Sequence, residues 1–103
     1  MRCLHGPSFP AAKRQLGAIV LRDACELARS WIRVNAIAPC LFLTPMMAAL
    51  PQDVQDSLGK ATPFPPRLGR PDEFAALVRS IVDNVMLNGE VIRLDGAVRL
   101  AAK

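Results

Sequence analysis

Tyrosine is absent from this chain, histidine and tryptophan occur once each, and no apolar run is long. Each scarcity excludes a chemistry. His5, alone and near the end of the chain, reads as a solvated side chain and not as a metal ligand or general base. Cys3, Cys25 and Cys40 are odd in number and widely spaced, with no C-x-x-C and no Cys/His pair. Neither a zinc site nor a disulfide framework is expected from that spacing. Reduced surroundings follow: the cytoplasm, or the mitochondrial matrix in a eukaryote. The best apolar stretch, Ala36 to Leu43, is broken by Pro39 and falls well short of the roughly 18 residues a membrane helix needs. Arg2 is followed by no apolar stretch of the signal-peptide kind. No membrane partner is expected.

What is present fits a small folded unit. The chain has 103 residues, room for one domain at most, and 51% of them are hydrophobic, which argues against disorder. A core of this size is modest and its stability thin. The net charge is +4. The basic residues are scattered, from Arg2, Lys13 and Arg14 through Arg22, Arg29 and Arg33 to Lys60, Arg67 and Arg70. None forms a block and none alternates with aromatic rings, so no nucleic-acid surface is expected.

Met1 to Ser8 is turn-like. Ala11 to Arg29 reads as a helix: Leu16, Ile19, Val20, Ala24, Leu27 and Ala28 recur at helical spacing, and Pro10 suits its start. Gly17 inside it suggests close packing. Ile32 to Ala38 reads as a strand, apolar on both faces and therefore expected to be covered on both sides, with Pro39 as its end. Prolines punctuate Leu41 to Pro66, leaving room for two short helices, Met46 to Leu50 and Gln52 to Lys60. Met46 and Met47 either line an adaptable apolar pocket or simply fill core. Asp72 to Met86 is the clearest helix, with Phe74, Leu77, Val78, Ile81, Val82 and Val85 on one broad face. Asn88-Gly89 marks a turn. Val91 to Asp95 is a second strand, closed by Gly96. Two strands joined through a long helical connection cannot form a hairpin, so a parallel pair is expected, part of a doubly wound α/β sheet.

The residues at these positions resemble a known family. Ile32-Arg33-Val34-Asn35-Ala36-Ile37-Ala38-Pro39 followed by Thr44-Pro45 resembles the sixth strand and following loop of short-chain dehydrogenases/reductases. Arg67-Leu68-Gly69-Arg70-Pro71-Asp72-Glu73-Phe74-Ala75 is similar to the segment opening their last helix. Asn88-Gly89-Glu90-Val91-Ile92-Arg93-Leu94-Asp95-Gly96 is similar to their last strand. Phe64-Pro65-Pro66-Arg67-Leu68-Gly69, taken with Asn88 to Gly96, resembles the type 2 3-hydroxyacyl-CoA dehydrogenases within that family, also called type 10 17β-hydroxysteroid dehydrogenases. The resemblance runs from about Phe9 to the C-terminus and covers under half of a complete member, its C-terminal part. It implies one partial Rossmann-type domain, NAD(H) as cofactor, and 3-hydroxyacyl-CoA or hydroxysteroid-like alcohols as substrates.

The family's catalytic pair is Y-x-x-x-K at the start of its long helix. Counting back without gaps from Glu26-Leu27-Ala28 places Lys13 on the Lys position and Phe9 on the Tyr position. The family's phenol exchanges a proton with the substrate oxygen, and its Lys lowers the phenol pKa and holds the nicotinamide ribose. A benzene ring cannot act as a general acid or base. Lys13 is thus either a retained cofactor-binding and catalytic lysine or an ordinary exposed helix lysine. By the same resemblance Pro39, Cys40, Phe42 and Thr44 would face the nicotinamide end of the cofactor, with Thr44 hydrogen-bonded to the carboxamide. Cys40 stands where the family usually has Gly, which puts the close backbone approach there in doubt. Its expected state is a buried small hydrophobe, not a reactive thiol. No residues are expected to bind metal.

The family's phosphate cradle, G-x-x-x-G-x-G after a first strand, does not occur in these 103 residues. No acidic reader of the adenosine ribose and no catalytic Ser strand accompany it. The chain by itself is therefore expected to be inactive. The alternative is a non-catalytic module derived from the family, its helices kept for association. Its partner would be a second copy of the chain, as a homo-oligomer or, through the open strand edge, an aggregate.

Overall fold

The computed structural model describes residues 11–99, with the side chains of residues 11–14 left out. Five helical segments and two strands follow one another: α1 Ala11–Leu27, a 3-10 turn Ala28–Ser30, β1 Ala36–Pro39, α2 Pro45–Ala48, α3 Gln52–Lys60, α4 Pro71–Asp83 and β2 Val91–Leu94. The expected helices and strands are present in the expected order, with shifted bounds: the last helix ends at Asp83 and not at Met86, and the first short helix is Pro45–Ala48 and not Met46–Leu50. β1 and β2 form one two-stranded sheet. The Ala36 N–H donates to the Glu90 carbonyl at 2.9 Å and the Cys40 N–H to the Leu94 carbonyl at 3.3 Å. Both strands advance by the same step in the same direction, so the pair is parallel, as a long helical connection requires.

The strand is shorter than Ile32 to Ala38 and includes Pro39. Residues ahead of Ala36 lie beside the Leu87–Gly89 turn, which offers a single backbone bond, from the Gly89 N–H to the Val34 carbonyl at 2.8 Å, in place of a full ladder. Two asparagine amides substitute for it. Asn35 Nδ2 donates to the Leu87 carbonyl at 2.9 Å, and Asn35 Oδ1 accepts from the Glu90 N–H at 3.1 Å. Asn88 Oδ1 accepts from the Val34 N–H at 3.0 Å. Pro39 is tolerated because Ala36 and Cys40 are the donors toward β2. An odd-numbered residue between them directs its nitrogen to the other side, where no ladder bond is lost.

Two compact units result: residues up to Ile37 together with Ile81–Ile92, and Ala38–Ser80 together with residues from Arg93 on. In the first, α1 buries Val20 and Ala24. Leu21 and Ala24 lie against Gly89, whose φ of +75° makes the turn. Among the described residues nothing stands close to Gly17, so the close packing expected there is not made by them. In the second, Thr62 and Val98 are buried. Gly96, at φ +58°, passes beneath the Thr62 methyl and the Phe64 carbonyl, where a side chain would collide with both. Asp95 ties off the end of β2. Burial works against its charge, yet Arg93 at 2.8 Å, the Ala97 N–H at 3.0 Å and Arg99 hold its carboxyl below the usual range.

The apolar stripe of α4, which runs past the helix end at Asp83 to Val85, is only partly covered by the described residues. Phe74, Leu77 and Ile81 are half-buried, while Val78, Val82 and Val85 are exposed. Both strands are at best half-buried, so the two-sided covering expected for β1 is not supplied by the described residues. Cys25 is disulfide-bonded and Cys40 is a free thiol. The spacing pointed to no disulfide framework, and the bond at Cys25 departs from that reading at one cysteine. Among the described residues, no helix is long and apolar enough to cross a membrane.

Trp31 closes α1 and its 3-10 turn in the left-handed region, φ 62° and ψ 32°, with its N–H on the Ala28 carbonyl at 3.0 Å. Its side chain is 95% exposed, so no packing offsets the crowding of its Cβ. Left-handed backbone costs a non-glycine residue roughly 1–2 kcal/mol. Trp31→Gly is expected to stabilise the chain by about 0.5–1 kcal/mol, after subtracting the greater freedom glycine has when unfolded. Urea denaturation of the two proteins measures this, and a loss of stability would contradict it.

Candidate functional site

The carboxyl end of β1 runs into Cys40–Thr44, and this segment lines an open apolar groove of about 460 Å³ with Pro39, Met47, Pro71 and Phe74. A parallel strand directs its carboxyl end toward ligands in open α/β sheets. Four positions singled out from sequence, Pro39, Cys40, Phe42 and Thr44, therefore share one wall. Phe9 lies outside the described residues, and so does the side chain of Lys13 at the start of α1.

Phe42 meets Phe74 edge to face, with ring centroids 6.1 Å apart at 87°. Its backbone is held from both sides: the Gly69 N–H donates to the Leu41 carbonyl and the Leu43 N–H to the Gly69 carbonyl, each at 2.8 Å. Thr44 is the N-cap of α2. Its Oγ1 accepts from the Met47 N–H at 3.3 Å, and Pro45 follows at the first helical position. With the oxygen occupied as an acceptor, the hydroxyl proton is left to donate to an acceptor in the groove. Met47 lines the groove and Met46 is exposed, so the pocket reading holds for one methionine of the two. Cys40 is exposed, not the buried small hydrophobe expected, because it makes the last ladder bond at the rim, just after β1 ends at Pro39.

Glu73 was expected, with Asp72, only to complement the positive end of the α4 dipole; the structure adds an ion pair and a cap at the start of α4, the helix that gives the groove Pro71 and Phe74. Arg67 grips the Glu73 carboxylate with two nitrogens, at 2.7 and 3.0 Å, and the Arg70 N–H donates to it at 2.8 Å. The last bond is the return half of a capping box at the start of α4. The Arg67 hydrogen bonds, then the Arg70 N–H, lower the Glu73 carboxyl from 4.5 to about 2. The same pair raises the Arg67 guanidinium. A carboxylate whose pKa is depressed on folding stabilises fully above its unfolded value and loses that contribution as pH falls through its folded one. Acid titration of stability is thus expected to show a component lost between about pH 4.5 and 2. Glu73→Gln should remove that component, and an unchanged acid limb in the variant would contradict the assignment.

The groove fits the nicotinamide end of a dinucleotide. It is apolar, large enough for a ring, and offers one hydroxyl donor for a carboxamide oxygen. The phosphate end is different. The six glycines, at positions 6, 17, 59, 69, 89 and 96, nowhere approach G-x-x-x-G-x-G spacing. Among the described residues, no cluster of side chains is suited to a metal.

Comparison with known proteins identifies the family. Residues 5–98 match the family model described as enoyl-(acyl carrier protein) reductase. The chain is 50% identical to 3-hydroxyacyl-CoA dehydrogenase type-2 of Drosophila melanogaster and 48% identical to that of Homo sapiens, over 93 residues in each case. Those matches cover 90% of this chain and 36% of each relative, so the chain spans about a third of the length of the curated relatives it matches. The crystal structure of 3-hydroxyacyl-CoA dehydrogenase type-2 from Mycobacterium avium superimposes with a TM-score of 0.80 at 41% identity, again over 90% of this chain and 36% of the other. With its parallel strands, crossover helices and residues 5–98 all accounted for, the chain belongs to the short-chain dehydrogenase/reductase family, of which it carries a Rossmann-type portion.

Proposed function

We propose that this chain supplies the nicotinamide- and substrate-facing wall of an NAD-dependent oxidoreductase acting on 3-hydroxyacyl-CoA or hydroxysteroid-like alcohols, and that the 103 residues alone do not turn over. The observation that carries this reading is the groove, which gathers Pro39, Cys40, Phe42 and Thr44 at the carboxyl end of a parallel strand. Bound NAD supplies the hydride acceptor. Phe42 and Phe74 give the ring an apolar surface and Thr44 donates to the carboxamide, while the family resemblance assigns the nicotinamide ribose to Lys13. Phe9 at the Tyr position keeps a second reading in view, a non-catalytic module whose groove binds no nucleotide.

Nicotinamide mononucleotide separates the two. At millimolar concentration it is expected to shift the backbone amide signals of Cys40, Phe42, Thr44 and Met47 in an isotope-labelled chain. Shifts elsewhere only, or none at saturating mononucleotide, would reject the first reading.

A further inference from the structure

The Phe42 ring is a partition. It lines the groove on one side and, on the other, a smaller cavity of about 90 Å³ walled by Leu41, Thr62, Arg67, Gly69, Glu73 and Asp95 among others. Gly69 borders the small cavity and not the groove. The ring lies directly on it: a Cβ built at Gly69 would stand 2.6, 2.8 and 2.9 Å from three carbons of the Phe42 ring. No real side chain packs at those distances, so the ring and not the added methyl would have to give. Backbone hydrogen bonds on both sides of Phe42 fix its Cα over Gly69. The ring can therefore move only by swinging away from the small cavity, toward the groove and Phe74. Gly69 itself is held in place by the Arg67–Glu73 fork just before α4.

We infer that Gly69 is a positioning residue: by seating the Phe42 ring it sets the width of the groove, and so decides what flat ring the groove admits. The inference rests on the groove being a ligand site, as proposed above, but its test requires no nucleotide.

Cys40 provides a built-in reporter, since its free thiol stands on the groove wall. The test compares the rates at which N-phenylmaleimide and N-methylmaleimide modify the Cys40 peptide of the full chain, each relative to glutathione. A phenyl ring that enters the groove before reaction is expected to give the phenyl reagent an advantage on the order of tenfold, the effect of one partly buried ring. Gly69→Ala should erase that advantage, and Gly17→Ala, at a glycine with no described residue close to it, should keep it. In a Phe42→Ala background, adding Gly69→Ala should change nothing, because the ring it displaces is gone. Absence of the advantage in the parent chain, its survival in Gly69→Ala, or an equal effect of Gly69→Ala without the Phe42 ring would each overturn the inference. If Gly69→Ala alone does not fold, the Phe42→Ala/Gly69→Ala protein decides: folding supports the seat, and failure to fold overturns it. Failure of the nucleotide reading shows separately, in the mononucleotide titration.

Discussion

Replacing Arg33 by Met is expected to destabilise the chain by about 3 kcal/mol, the worth of one or two charge-assisted hydrogen bonds in a half-buried setting. Arg33 reaches four backbone carbonyls at the end of α4 and just beyond it: Ile81 at 2.9 Å, Asn84 at 3.2 Å and Leu87 at 2.9 Å through one nitrogen, and Val82 at 3.2 Å through the other. Helix C-termini leave their last carbonyls without partners and carry partial negative charge. α4 has no basic residue of its own in its last turn. The guanidinium arrives instead from the segment before β1, and it satisfies the helix end and the Leu87–Gly89 turn together. Met keeps the apolar stem and removes only the donors, so the carbonyls lose their partners without a large cavity. Lys is expected to restore less than half of the loss, because a single ammonium cannot fork between carbonyls in the way a planar guanidinium does. Urea denaturation with matched m-values measures both variants. A loss below about 1 kcal/mol for Arg33→Met would show that water replaces the arginine at little cost.

Arg33 also marks what the sequence could and could not tell. α1 and α4 were legible because apolar residues recur on one helical face over several turns, and α3 because prolines leave room for a short helix there. The parallel pairing was legible from the length of the connection between the strands. The limits of β1 were not, because Asn35 and Asn88 trade side-chain hydrogen bonds where a ladder would otherwise run. Arg33 read as one of the scattered basic residues, and Glu73 only as an acidic residue suited to the start of α4. Their roles depend on residues 48 to 54 positions away for Arg33, and on a local loop closure at Arg67 for Glu73. Cys40 was expected to be buried because its residue type usually is, and it is exposed because β1 ends just before it. The wall formed by Pro39, Cys40, Phe42 and Thr44 was legible only through resemblance. Composition and periodicity give no reason to gather those four.

The second large effect concerns turnover, which is expected to be absent in the 103-residue chain and to remain absent in Phe9→Tyr. Three features of the sequence point the same way. First, without a glycine-rich turn opening a helix, the two phosphates of NAD gain no aligned backbone N–H groups and no helix dipole. Second, Phe9 offers no proton where the family has a phenol, and positioned acid–base catalysis is typically worth about 10²–10⁴ in rate. Third, Cys40 puts a Cβ and a thiol on the groove wall where the family usually has Gly, which has neither. Restoring the phenol repairs the second feature alone. Cofactor binding fails first, so the repaired chain still has nothing to reduce. The most direct measurement is calorimetry with NAD on the chain and on Phe9→Tyr, paired with an absorbance assay for NADH using a 3-hydroxyacyl-CoA and a hydroxysteroid. The account predicts NAD affinity weaker than micromolar and no NADH above background in either protein. Micromolar affinity with measurable turnover in either one would contradict it.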